Sequence, residues 1–270
     1  MTSLPFHPDI ARLAAFVGIL ALLALSERLW PRRPLTVARG VRWRINLAIV
    51  ALDSVLVRLV LPLAPFALAA VLQERGWGLF NVLQIAGPAE IIASVLLLDL
   101  TIYAQHRLFH RLPLLWRIHR MHHTDLDLDV TSGTRFHPLE IVLSLAIKLT
   151  AILLLGPSPL AVVLFEIVLN ATSMFSHANL RLPPAVDRWL RLVMVTPDMH
   201  RVHHSVIVRE TNSNYGFNLP WWDRLFGSYR PQPRDGHLGM TIGLREWRNQ
   251  ADLGLRALLQ IPFLRKVPGR

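Results

Sequence analysis

The sequence contains no cysteine. That excludes disulfides, thiolate zinc sites and thiol nucleophiles, so any metal must be held by nitrogen or oxygen. No HExxH occurs, so the zinc-protease motif with its general-base glutamate is missing. No GxSxG occurs either, which argues against a serine hydrolase. No haem or flavin motif, solenoid repeat or low-complexity tract is visible. Acidic residues are few, 18 against 29 lysines and arginines, for a net charge of +11. A basic soluble domain would point to nucleic acid, but no recognition motif accompanies the charge. The arginines instead flank apolar segments, as at Arg28, Arg32, Arg33, Arg39, Arg42 and Arg44. Such clusters face the cytoplasm and touch anionic head groups. No nucleic-acid partner is expected.

What is present is apolar. Hydrophobic residues make up 52% of the chain and the mean hydropathy is +0.37. They gather in five runs: Ile10–Leu25, Ile45–Leu72, Gly87–Ala104, Ile141–Leu155 and Leu160–Phe175. The pattern predicts an all-α integral membrane protein with four to five transmembrane or re-entrant helices. The first run lacks the basic n-region and small-residue cleavage site of a signal peptide, so it is expected to persist as a helix ending near Trp30. Pro62 and Pro65 should kink the second run. Gly156-Pro157-Ser158-Pro159 should form a tight turn between the last two. Charges inside the runs (Asp53, Arg58, Asp99, Lys148 and Glu166) are expected to face protein or mark function. With the basic stretch 28–44 in the cytoplasm, five crossings also place 105–140 and everything after 176 there.

Those two cytoplasmic stretches hold most of the twelve histidines. His106 and His110 form an HxxxH, and HxxHH occurs twice, as His119, His122, His123 and as His200, His203, His204. On a helix, positions i, i+3 and i+4 share a face, so each box should aim its rings at one point. Eight nitrogens exceed the need of one ion, and a pair of metal ions is the simplest count. His177, at the end of the fifth run, is a ninth candidate ligand. All-imidazole sets suit iron, zinc, copper or nickel, so the ligand type leaves the metal open. Asp99, Tyr103, His106 and His110 fall on one stripe of a helix. Asp99 is therefore expected either to orient a metal-bound histidine or to pair with a neighbouring helix. His137, before Pro138, should cap a helix or support the site. Asn214-Tyr215-Gly216 reads as a turn, with Asn214 a further supporting candidate. Trp221–Tyr229 reads as an interfacial lid with an exposed Asp223–Arg224 pair, and Leu253–Leu264 as an interfacial helix. Two other functions use the same histidines: a metal relay strung across the bilayer, and bis-histidine haem binding.

The three boxes resemble the fatty acid hydroxylase / sterol desaturase superfamily of integral-membrane, non-haem di-iron enzymes. So do Asp99-x3-Tyr103-x2-His106, Arg135–Glu140, Asn214–Gly216 and Trp222–Tyr229. The resemblance covers about residues 90–230 and implies three parts: membrane helices over 1–85, a histidine-box domain over 86–230, and an interfacial tail over 231–270. It implies two iron ions on His106, His110, His119, His122, His123, His177, His200, His203 and His204, with zinc able to replace iron in a purified sample. It also implies O2 as co-substrate, a membrane lipid as substrate, hydroxylation or desaturation as outcome, and an external electron donor of cytochrome b5 or ferredoxin type.

Overall fold

The computed structural model describes residues 7–61, 64–249 and 253–264. Proline opens most of the helices. Its missing N–H costs nothing at the first helical position and its fixed φ suits a helix start. Pro8, Pro65, Pro88, Pro113, Pro138, Pro159, Pro184 and Pro197 each occupy that position. The helices in chain order are α1 (Pro8–Leu29), α2 (Arg39–Val60), α3 (Pro65–Arg75), α4 (Leu79–Val82), α5 (Pro88–Arg111) and α6 (Pro113–His119). They continue with α7 (Pro138–Leu155), α8 (Pro159–His177), α9 (Pro184–Leu190) and α10 (Pro197–His203). Four short pieces follow: α11 (Val208–Thr211), α12 (Trp221–Leu225), α13 (Gly236–Gly239) and α14 (Leu255–Gln260). No strand is found among the described residues.

Five segments are long and apolar enough to cross a membrane: Pro8–Leu29, Arg39–Val82, Pro88–Arg111, Pro138–Leu155 and Pro159–His177. The shortest, α7 with 18 residues, reaches about 27 Å at 1.5 Å per residue, close to the thickness of a hydrocarbon core. In the second segment the helix stops at Val60 and a new one starts at Pro65, so the expected kink at Pro65 is a full break. Pro62 lies outside the described residues. The predicted turn after α7 is sharp because Gly156 adopts a left-handed φ of 64°. The loop before α4 packs against it so closely that a Cβ on Gly78 would lie 2.4 Å from Gly156 Cα. Asn81 secures the contact by donating to the carbonyl of Gly156 at 3.0 Å.

The charges inside the apolar helices are mostly tied to other elements. Glu166 on α8 pairs with Lys148 on α7 and with Arg12 on α1, the latter at 3.3 Å. Glu27 accepts the backbone N–H groups of Val130 and Asn179, both at 2.7 Å, and so fastens α1 to the loops that precede α7 and follow α8. Leu98, Ile102, Ile152, Val162 and Phe165 pack with Ala69 and Leu72 to form the apolar core among α3, α5, α7 and α8.

A second framework surrounds the loop between α6 and α7. Its sequence Asp125-Leu126-Asp127-Leu128-Asp129 buries three carboxylates. Arg42 from α2 donates to both oxygens of Asp125, at 2.9 and 2.8 Å, and to Asp129. Asp127 accepts the N–H groups of Thr36 and Val37. The C-terminal tail completes this side. One side of it is seated in the fold: Leu258 and Ile261 are fully buried with Ile49 of α2 and with Met121 and Trp247, while Phe263 is exposed. Arg120 donates to the carbonyls of Ile261 and Leu264, tying the tail directly to the residue after His119.

Candidate metal centre

All nine histidines singled out in the sequence converge, and none is more than 2% exposed. Their ring nitrogens form two compact groups. His106, His110, His119, His123 and His203 make one, and His122, His177, His200 and His204 make the other. The groups are adjacent: the rings of His123 and His204 stack at 4.5 Å, and those of His122 and His204 meet at 4.8 Å.

The sorting differs from the expectation that each box serves one point. His106 and His110 do stay together, as neighbours on α5. Each HxxHH box is divided. Its i and i+4 rings join one group and its i+3 ring crosses to the other: His122 leaves His119 and His123, and His203 leaves His200 and His204. The reason is angular. At 100° per residue, i+4 lies about 40° to one side of i and i+3 about 60° to the other. The two positions share a broad face but diverge by about 100°, enough to address two centres. Helix ends add to the divergence, since α6 stops at His119 and His122–Thr124 is a 3₁₀ turn. The two boxes thereby exchange one ring each and lock the groups into a single unit.

Hydrogen bonds fix the tautomers. Carbonyl oxygens only accept, so a ring nitrogen facing one must carry the proton. His106 Nδ1 donates to the carbonyl of Tyr215 at 2.7 Å, and His122 Nδ1 to that of Arg135 at 3.0 Å. His177 Nδ1 donates to the carbonyl of Ser173 and His203 Nδ1 to that of Ser213, each at 2.7 Å. His119 Nδ1 donates to the carboxylate of Glu140, also at 2.7 Å. In each neutral ring the lone pair is then on Nε2, which points inward. Burial keeps the rings outside the membrane helices neutral. It pushes His119 down to about 3 and holds His122, His123, His200, His203 and His204 well below the usual value, with neighbouring imidazoles adding to the effect for those five.

This arrangement suits a cation. His106 Nε2 and His119 Nε2 are 3.1 Å apart, as are His122 Nε2 and His177 Nε2. Both members of each pair present lone pairs, so without a positive charge between them the contact is repulsive. His177 and His200 meet at 3.1 Å, and His200 and His204 at 3.3 Å, again through Nε2. Two nitrogens bound at about 2.1 Å to one ion, at angles of 90–109°, lie about 3.0–3.4 Å apart. His203 Nε2 is buried with no hydrogen-bond partner among the described residues. The donor set therefore fits two imidazole-bound transition metals.

The supporting residues are placed less as expected. Asp99 neither orients a histidine nor pairs with a basic side chain among the described residues. Its carboxylate accepts from Trp222 Nε1 at 2.8 Å and from the N–H groups of Asn218 and Leu219 at 3.3 Å, so it anchors the chain after Tyr215 to α5. A carboxylate inside an apolar helix was visible in the sequence, but its partners, one indole and two backbone N–H groups, lie about 120 residues away. Tyr103 meets Ser228 Oγ at 2.8 Å and stacks on Phe226 rather than on a histidine. His137 caps α7, accepting the N–H of Leu139 at 3.1 Å. Asn214 donates to the carbonyl of Met199 on α10 at 2.9 Å, with the left-handed φ of 51° that asparagine tolerates. Asp223 is no exposed partner of Arg224. It is buried and accepts the N–H groups of Tyr215 and Gly216, each at 2.8 Å. Glu140 is the orienting carboxylate that sequence reasoning missed. Its signal was its place in the first turn of α7, three residues after His137.

Aromatic side chains form one wall of the centre. Phe136 lies parallel to His122 at 4.5 Å, and Phe217 stands 5.1 Å from His106 and 6.4 Å from Phe136. Phe217 also packs on the apolar core among the membrane helices. The centre thus adjoins the hydrocarbon-facing interior of the fold.

A family model described as fatty acid hydroxylase matches residues 91–228. An ornithine lipid hydroxylase from Rhizobium tropici is 32% identical over 180 residues, covering 66% of this chain and 51% of the relative. Human alkylglycerol monooxygenase is 29% identical over 167 residues, 62% of this chain and 36% of that protein. A Delta(7)-sterol 5(6)-desaturase from Aspergillus fumigatus is 29% identical over 172 residues, 54% of this chain and 51% of the desaturase. The chain thus spans about half the length or less of these curated relatives. No solved structure matches.

Proposed function

The chain belongs to the fatty acid hydroxylase family, and from that premise we propose that it is a di-iron, O2-dependent oxidase of a membrane lipid. The observation that carries the reading is the pair of adjacent groups, five and four buried imidazoles, with their inward lone pairs. One ion would sit on His106, His110, His119, His123 and His203, and the other on His122, His177, His200 and His204. Iron, when bound there, would supply the power to reduce O2 and to break an unactivated C–H bond, giving an alcohol or an alkene. Hydroxylation consumes one O2, two electrons and two protons per alcohol and water formed. The electrons come from a separate protein of cytochrome b5 or ferredoxin type.

The residues of the chain do the rest. Glu140 and the carbonyls of Tyr215, Arg135, Ser173 and Ser213 hold ring protons on Nδ1 and thereby keep Nε2 free to bind metal. Phe136 and Phe217 keep water off one side and offer an apolar surface to a hydrocarbon chain. The side-by-side groups favour a cooperating pair over a relay across the bilayer, which would need sites spaced along the membrane normal. The arginines at 28–44 support a cytoplasmic position for the centre.

The test compares lipids extracted from cells with and without the chain, and with His122→Ala or His203→Ala, one from each group. A lipid carrying one more oxygen or one more double bond is expected only with the unsubstituted protein. If the folded variants make that product at the full rate, the oxidase reading fails.

A further inference from the structure

Beside the five-histidine group opens a cleft of about 440 Å³ that the metal chemistry does not explain. One wall is the last turn of α5, with Arg107, His110 and Arg111. The other carries Asn212, Tyr215 and Ser228. No acidic residue lines it. Among the described residues, the hydrogen bond of Arg107 is to the hydroxyl of Tyr103, at 3.4 Å, and Arg111 is exposed. Asp223 feels the charge of Arg107, but its oxygens already accept the N–H groups of Tyr215 and Gly216 and Ser228 Oγ at 2.7 Å. Among the described residues neither guanidinium has a carboxylate within ion-pair distance. The cleft is therefore positively charged, and it has hydroxyl groups within reach of whatever the arginines hold.

Its position says what that is. The arginines stand where α5 leaves its apolar run, the level at which lipid head groups lie. In the same stretch of chain, Leu108, Leu112 and Leu114 do not line the cleft and are 48%, 47% and 69% exposed. A lipid standing in the leaflet can lay its chain along these leucines and turn its polar end into the cleft. His110 lines the cleft, so a group bound there lies directly beside the metal centre.

We propose that Arg107 and Arg111 hold the acidic group, a phosphate or carboxylate, of the lipid that this chain oxidises. The proposal rests on the lipid-oxidase reading and narrows it: the substrate is an acidic lipid whose reacting carbon lies near its polar end. Guanidinium groups suit this role because their donors match the oxygens of phosphate and carboxylate.

Calorimetry on the full metal-loaded chain in neutral detergent tests it, with dihexanoyl phosphatidic acid as probe and dihexanoylglycerol and inorganic phosphate as controls. The phosphatidic acid should bind most tightly and should weaken with added salt. Arg107→Gln and Arg111→Gln should each weaken it about tenfold or more, the loss of one charge-assisted contact. Arg107→Lys and Arg111→Lys should restore part of it. Unchanged binding in the glutamine variants overturns the proposal, as does equally tight binding of the neutral glyceride or of free phosphate. Metal content is measured on the same samples. A chain that binds the acidic lipid through the arginines but takes up no metal would refute the oxidase reading and leave the arginines as an acidic-lipid site alone.

Discussion

Replacing Glu140 should weaken metal binding without touching a proposed ligand. Glu140 is 3% exposed, and its Oε1 accepts the Nδ1 proton of His119 at 2.7 Å. That bond fixes the tautomer of His119 and makes its Nε2 a better donor. In Glu140→Ala the ring N–H is left buried and unpaired, a cost of about 1–3 kcal/mol. The ring can then rotate or change tautomer, and Nε2 no longer faces His106 and His123, now 3.1 and 3.2 Å away. Losing such an orienting partner typically lowers metal affinity 10–100-fold, which is about 1.4–2.7 kcal/mol. Glu140→Gln keeps an acceptor oxygen and should fall between alanine and the unsubstituted protein. The assay is a competition titration with a chelator, reading iron or cobalt retained per chain as chelator rises. The more weakly held ion should be the one on the five-histidine group. If both ions in Glu140→Ala resist chelator as in the parent chain, the orienting role is refuted.

Other perturbations probe the framework. Arg42→Met leaves Asp129 buried without its ion-pair partner and Asp125 with Arg135 alone, at 3.7 Å, and should destabilise the protein by about 3 kcal/mol, read as a lowered melting temperature of the detergent-solubilised chain. Gly156→Ala forces a left-handed φ of 64° on a side chain whose Cβ would meet the carbonyl of Trp77 at 2.4 Å. A loss of more than 1 kcal/mol is expected, and an unchanged melting temperature would show that the α7–α8 turn is not so close. The metal-free protein should also weaken in acid. His119 and His237 are held down to about 3 and about 4 in the fold, against about 6.5 when unfolded. The unfolded chain thus binds more protons between these values, so stability is full above about pH 6.5 and falls as pH drops toward 4. The slope is up to about 1.4 kcal/mol per pH unit per histidine, and denaturant titrations at a series of pH values measure it.

The helical membrane class and the nine histidines were legible because each rests on a local pattern. Apolar runs report burial in lipid regardless of their neighbours, and imidazoles at i, i+3 and i+4 are close together in any helix. What was not legible depends on contacts between distant segments. The divergence of i+3 from i and i+4 is local, but which group His122 and His203 each join depends on the two HxxHH boxes, far apart in the chain, facing each other. Asp99 looked like a ligand's partner because the histidines share its helix, yet the N–H groups it accepts come from Asn218 and Leu219. Leu253–Leu264 has the composition of a surface helix, and its contacts with Arg120 and Ile49 could not be read from that composition. The second apolar run reads as one kinked span because periodicity does not register that one helix ends at Val60 and another begins at Pro65.

Iron per chain, measured after anaerobic purification from iron-supplied cells, tests the central claim most directly. Two ions are predicted for the parent chain. One is predicted when His200 and His204, which serve only the four-histidine group, are both changed to alanine in a protein that remains folded. A parent chain that saturates at a single ion, or a double variant that still holds two, would contradict the account.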